Sequence, residues 1–246
     1  MKIRLVSLAI IGLLSSGASF SADKAHWGYS GHEGPEHWGD LDPEYSTCAS
    51  GKNQSPINLT KMIEGDLPEL GIDYKAGGNE VVNNGHTIQV NYATGSMIHD
   101  GDHTFELKQF HFHAPSENKI EGHSYPLEAH FVHADKAGDL AVIAVMFEPG
   151  EQNAELEKIW EHIPHEAGEK HELSDMVDAN VLIPHDHAYF RYNGSLTTPP
   201  CSEGVNWYVM KYFDTASQEQ INEFIRAMHH ENNRPVQPVN ARVVIQ

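Results

Sequence analysis

The stretch Gln109-Phe110-His111-Phe112-His113 alternates polar and apolar side chains, and Leu127-Glu128-Ala129-His130-Phe131-Val132-His133 has a matching two-residue rhythm. Period-two alternation belongs to strands, because successive side chains leave opposite faces of a sheet. Phe110 and Phe112 then enter one face while His111 and His113 project from the other. In the second segment Glu128, His130 and Val132 share a face, opposite Ala129, Phe131 and His133. Such a chain is expected to be built on a sheet, with its chemistry on one side.

Further strand-like segments occupy residues 87–92, 106–113, 128–133, 140–147, 189–192 and 205–213, bounded by turn signals such as Asn83-Asn84-Gly85, Gly138-Asp139 and Asn193-Gly194. Residues 140–147 are apolar on both faces, as in a central strand covered on each side. Leu156, Ile159, Trp160 and Ile163 recur at helical spacing and stop before Pro164. Ile221, Phe224, Ile225 and Met228 do the same behind a Ser217/Gln220 capping box. The class is therefore mainly β (α+β), with a few helices packed outside.

Two imidazoles two residues apart on a rigid strand can share a metal ion. If the two strands pair, His130 becomes a third nitrogen ligand. Three neutral imidazoles with one open position form a catalytic zinc arrangement, whereas structural zinc sites fill all four positions with protein. Gln109 beside His111 and Glu128 beside His130 are the kind of acceptor that takes the second ring N–H of a ligating histidine. With 18 histidines in the chain, an isolated one carries little information. A cupin-type site is a second reading, since Glu117 follows His111-x-His113. Against it, Phe105 stands where that motif needs glycine, and no second cupin motif follows.

The first residues run from Lys2 and Arg4 through an apolar stretch, 5–14, to small residues, the order of a secretory signal peptide. Residues 1–21 are expected to be removed, with cleavage between 18 and 22, leaving one domain over 22–246. The alternative is a buried N-terminal strand. The apolar run is shorter than the roughly 20 residues of a membrane span, and no membrane anchor is expected. Without the leader the chain carries 14 basic and 35 acidic residues, a charge of −21 that disfavours nucleic acid and anionic membranes as partners. Cys48 and Cys201 in an exported chain are most simply one disulfide; two buried free thiols are the alternative.

The sequence resembles the alpha-class carbonic anhydrases from His26 to about Arg242. The resemblance is carried by His26-Trp27-Gly28-Tyr29, Gly34-Pro35-Glu36-His37-Trp38, Gln54-Ser55-Pro56-Ile57-Asn58, Asn83-Asn84-Gly85-His86, both histidine segments, Gly194-Ser195-Leu196-Thr197-Thr198-Pro199-Pro200-Cys201 and Asn233-Arg234-Pro235 with Gln237-Pro238. It implies a single domain around a large twisted, mostly antiparallel sheet, with one Zn2+ held by His111, His113 and His130. Gln109, Glu128 and the Asn232 carbonyl are then the outer acceptors. The implied reaction is reversible hydration of carbon dioxide to bicarbonate by zinc-bound hydroxide, with weak esterase activity as a side reaction. Thr197, held by Glu117, would orient the nucleophile, and Thr198 would assist. Val132, Val142, Leu196 and Trp207 would form the apolar substrate wall. His86 would shuttle protons through waters ordered by Tyr29, Asn84 and Gln89. The resemblance also pairs Cys48 with Cys201, places the protein outside the cytoplasm, most simply in a periplasm, and is compatible with a homodimer. Ala114 and Asn233 replace tryptophans common in animal members, which bears on the shape of the rim. A non-catalytic binding or adhesion domain is the remaining alternative; the presence of all three ligands, Thr197 and Glu117 argues against it.

Overall fold

The structure is a computed structural model that describes residues 25–246; the expected signal peptide lies outside the described residues. In chain order the strands are β1 (Asn58–Leu59), β2 (Gly71–Asp73), β3 (Gly78–Asn83), β4 (Ile88–Tyr92), β5 (Met97–Asp100), β6 (His103–His113) and β7 (Lys119–Ile120). They continue with β8 (Leu127–Ala134), β9 (Leu140–Pro149), β10 (Lys170–Val177), β11 (Tyr189–Ser195), β12 (Glu203–Met210) and β13 (Asp214–Ala216). The α-helices are α1 (Trp38–Leu41), α2 (Thr47–Ser50), α3 (Ala154–Trp160) and α4 (Gln218–Met228).

One large sheet in the order β10-β3-β4-β6-β8-β9-β12-β11 dominates the molecule. Its neighbours are antiparallel except β9 with β12, and the short β13 also joins β9 in parallel. The fold is thus mainly β with few helices, in agreement with the sequence reading.

Strand β9 shows why residues 140–147 are apolar throughout. Ala141, Ile143, Val145 and Phe147 enter one core layer, with Phe110, Phe112, Phe131 and the inner faces of α3 and α4. Val142, Ala144 and Met146 enter the opposite layer with Tyr192, Trp207 and Val209. A third cluster, Trp38, Tyr45, Cys48 and Cys201, sits under the N-terminal segment with Trp27 and Tyr29 packed against it.

In β6, Phe105 and Leu107 face the same layer as Phe110 and Phe112. Odd positions face the core before residue 108 and even positions after it. The register against β8 shifts between Leu107 and Gln109, so Lys108 is an extra residue that reverses the alternation. That bulge allows the strand to keep its core face while His111 and His113 turn outward.

Several expectations need adjustment. Strand β12, expected over 205–213, ends at Met210, and Phe213 is exposed. Ile225 on α4 is exposed too; Ala227 takes the inward place beside Ile221, Phe224 and Met228. Ile163 is buried but lies beyond the end of α3. The Ser217/Gln220 capping box is present.

Candidate metal centre

Strands β6 and β8 pair with His111 opposite His130 and His113 opposite Glu128. The three histidines are brought together, with one ring nitrogen from each lying within 4.8 Å of the others. Each outward nitrogen meets an acceptor. His111 Nδ1 donates to Gln109 Oε1 at 2.8 Å, His113 Nδ1 to the Asn232 carbonyl at 2.7 Å, and His130 Nε2 to Glu128 Oε1 at 2.9 Å. These partners assign the protons to the outer nitrogens, so the inner three present lone pairs. Burial, reinforced by the neighbouring imidazoles, holds His111 and His130 well below the ordinary histidine range; burial also lowers His113. All three rings are neutral. His113 Nε2 is buried with no hydrogen-bond partner, as expected of an atom that needs a metal. The donor set fits zinc: three imidazole nitrogens, with His111 still partly exposed.

Glu128 is fully buried, and every bond it accepts holds another part of the site. Its Oε2 accepts from the backbone N–H groups of Glu117 and Asn118 at 2.6 and 2.9 Å; its Oε1 accepts from Asn118 Nδ2 at 2.8 Å as well as from His130. Asn232 is a second hub. Its side chain donates to the carbonyls of Phe112 and His86 and accepts from the Ala114 N–H. Asn118 and Arg234 were not singled out from sequence. Asn118 had no signal there, and Arg234 was visible only as part of a motif.

Glu117 is buried, with Oε1 accepting from the Arg234 backbone N–H at 2.8 Å. Its Oε2 lies 3.5 Å from His113 Nε2 and 3.8 Å from His130 Nδ1. Burial pushes its carboxyl up to about 8, opposed by the Arg234 N–H and the Thr197 hydroxyl. Although Thr197 influences Glu117, no hydrogen bond of good geometry joins them in this structure, and Oε2 is left without a partner. Thr197 is buried and Thr198 half-buried; the Thr198 carbonyl accepts from the Cys201 N–H. Val142 and Trp207 belong to one apolar cluster, with Val132 and Leu196 packed against it. The Trp207 ring centroid is 4.9 Å from that of His130, which puts this apolar surface beside the three histidines.

The turn before β4 carries His86. Gly85 adopts a φ of +85°, which glycine tolerates, and Asn84 Oδ1 accepts from the N–H groups of His86 and Thr87, both at 2.9 Å. The His86 ring stacks on Trp27 at 3.7 Å and 7°. Its basicity is pushed down to about 4, by burial first and then by His26 and His230. Gln89 stands opposite His111 across β4 and β6, and Asn84 Nδ2 donates to its Oε1 at 3.4 Å. Tyr29 packs edge-on against Trp27 and Trp38; burial and then Glu117 raise its phenol well above the usual range. Cys48 and Cys201 are joined in a disulfide.

Three neutral imidazoles on one face of a β-sheet, two of them buried and His111 partly exposed, form a group that could hold one metal ion. A family model for eukaryotic-type carbonic anhydrase matches residues 33–246. A carbonic anhydrase from Neisseria gonorrhoeae is 48% identical over 244 residues, covering 99% of this chain and 96% of the relative. The alpha-carbonic anhydrase from Thermovibrio ammonificans, solved with the inhibitor sulfanilamide, superposes with a TM-score of 0.89 at 50% identity, covering 90% of this chain and 99% of that one. Dioscorin, solved in complex with ascorbate, shares the fold at a TM-score of 0.84 and 33% identity, covering 89% and 97% of the two chains. The chain belongs to the alpha-class carbonic anhydrase family, enzymes of the lyase class that hydrate carbon dioxide.

Proposed function

We propose that the protein is an exported zinc enzyme that hydrates carbon dioxide reversibly, with His111, His113 and His130 as its metal ligands. The observation that carries this reading is the set of three inward lone pairs, each fixed by an acceptor on the opposite ring nitrogen. Neutral ligands leave the charge of a dication undiminished. Bound zinc supplies a Lewis acid that makes water acidic enough to react near neutral pH, an effect for which carbonic anhydrases are themselves the standard example.

The other residues position the reactants. Glu117, ionised, can only accept, so a Thr197 hydroxyl drawn into contact with its free Oε2 would have to donate to it and turn its oxygen lone pairs toward the nucleophile. A dication among the three imidazoles opposes the burial that raises Glu117, which favours that ionised form. Val132, Val142, Leu196 and Trp207 offer carbon dioxide an apolar surface beside the ligands, where an unhydrated substrate is not penalised. His86, on the turn before β4, is the residue we assign as proton shuttle. In its stacked position it is too weak a base for neutral pH. For His86 to act as the shuttle its ring must leave the stack on Trp27, and Tyr29, Asn84 and Gln89 would order the intervening water. Export, with loss of the first 21 or so residues, agrees with the disulfide, which persists in oxidising compartments. Weak hydrolysis of activated esters is expected from the same nucleophile.

The ligand assignment is tested by zinc content after dialysis. Wild-type protein should retain one zinc per chain, and His111→Ala should lose tight binding while keeping its fold by circular dichroism. Full zinc occupancy and activity in that variant would sink the assignment.

A further inference from the structure

Arg234 is about 1% exposed, a rare placement for a guanidinium, and its charge is committed to backbone and amide oxygens. Nη1 donates to Gln54 Oε1 at 2.9 Å and to the Ser55 carbonyl at 2.7 Å; Nη2 donates to the Cys48 carbonyl at 3.0 Å. The group lies over Trp38, with Cζ 5.6 Å from the ring. The backbone N–H of the same residue holds Glu117 Oε1.

The partners of Arg234 also hold the turn that carries Thr197. Gln54 Nε2 donates to the Cys201 carbonyl at 3.0 Å, so one carboxamide bridges Arg234 to the disulfide. Ser55 N–H donates to Ser195 Oγ at 2.9 Å, and Ser195 N–H donates back to Ser55 Oγ at 3.1 Å. Within the turn, Cys201 N–H reaches the Thr198 carbonyl and Leu196 N–H the Ser202 carbonyl. Cys48, whose carbonyl receives Arg234, is covalently joined to Cys201. Glu117 and Thr197 thus hang from one buried knot: Cys48–Cys201, Gln54-Ser55 and Arg234.

We propose that Arg234 is a positioning residue for the hydration reaction: its guanidinium, clamped between Cys48, Gln54 and Ser55, fixes the N–H that aims Glu117, and the disulfide and Gln54 hold Thr197 in register with it. This rests on the carbonic anhydrase reading. Lysine carries its three donors on a single nitrogen, so it cannot reproduce a fork in which Nη1 serves Gln54 and Ser55 while Nη2 serves Cys48. Gln54→Met cuts the bridge to Cys201 while leaving the charge of Arg234 in place.

The test compares wild type, Arg234→Lys and Gln54→Met, all zinc-loaded, for kcat/KM of carbon dioxide hydration and zinc affinity. Amide hydrogen exchange across residues 232–235 and 195–203 is measured on the same proteins, with and without zinc. Zinc affinity should stay within about twofold, since no ligand is touched. The rate constant kcat/KM should fall about tenfold, the scale of one hydrogen bond to a charged group. The Arg234 amide should exchange at least tenfold faster, and the loss should be larger in Arg234→Lys than in Gln54→Met. Unchanged kcat/KM and unchanged exchange in a folded, zinc-loaded variant would overturn the proposal. If Arg234→Lys does not fold, Gln54→Met decides by the same criteria. Wild type that binds zinc but hydrates nothing defeats the functional reading instead, and the exchange data still judge the positioning.

Discussion

At the residue scale, His133 illustrates how the two histidine strands divide their labour. It is buried on the face opposite His130, its Nδ1 donating to the Ala141 carbonyl at 3.2 Å and its Nε2 accepting from the Tyr74 hydroxyl at 2.5 Å. Burial lowers its basicity to about 3. The folded value lies below the unfolded one, so its contribution to stability is complete above the unfolded value, about 6.5, and is lost as pH falls toward 3. Urea unfolding at pH 7 and pH 5 should show this loss, and His133→Gln should reduce the difference between the two. Thr197 poses the complementary question of chemistry. Thr197→Ala should keep zinc yet lose on the order of 100-fold in kcat/KM, the range for removing one group that orients charge in a transition state; an unchanged rate would remove its role. His86→Ala should slow turnover in weak buffer and recover with added imidazole, read by stopped flow. The three histidines that come together were legible in sequence because strand alternation puts His111 and His113 on one face, and pairing of the two segments adds His130. Arg234 was not, because its role depends on oxygens of residues 48, 54 and 55, distant in sequence.

At the scale of elements, the strands with apolar alternation were visible and the polar ones were not. Strand β10 buries only Leu173 and Val177 among its eight residues, since it forms a sheet edge with one neighbour, so its sequence has no two-residue rhythm. Strand β3 begins at Gly78 and includes Glu80, and turn-like composition masked it. The bulge at Lys108 was also hidden, although it determines which way the histidines face. Deleting Lys108 should force either Phe110 and Phe112 out of the core or His111 and His113 into it. Zinc content and near-ultraviolet circular dichroism would check this, and a deletion variant that keeps both would contradict the bulge argument. Ile225 was read into the core face of α4 because the helical period admits it. Its position at the edge of that face leaves it exposed, and Ile225→Lys should change stability by no more than about 0.5 kcal/mol.

Across the whole molecule, the sheet separates two jobs. One face carries the larger core, with the phenylalanines of β6 and β8 and the inner sides of α3 and α4. The other carries the histidines beside the smaller cluster containing Val142 and Trp207. Two of the three imidazoles are held from their own strands, His111 by Gln109 and His130 by Glu128, while His113, Glu128 and Glu117 are held from outside them by Asn232, Asn118 and Arg234. The same contacts that stabilise the fold also hold three neutral rings together, ready for the metal that the proposed function requires. The most direct test is stopped-flow hydration of carbon dioxide by the mature protein, before zinc is chelated, after chelation, and after zinc is restored. Rapid hydration that disappears with the metal and returns with it is the predicted result; a folded, zinc-loaded protein that leaves the uncatalysed rate unchanged would contradict the account.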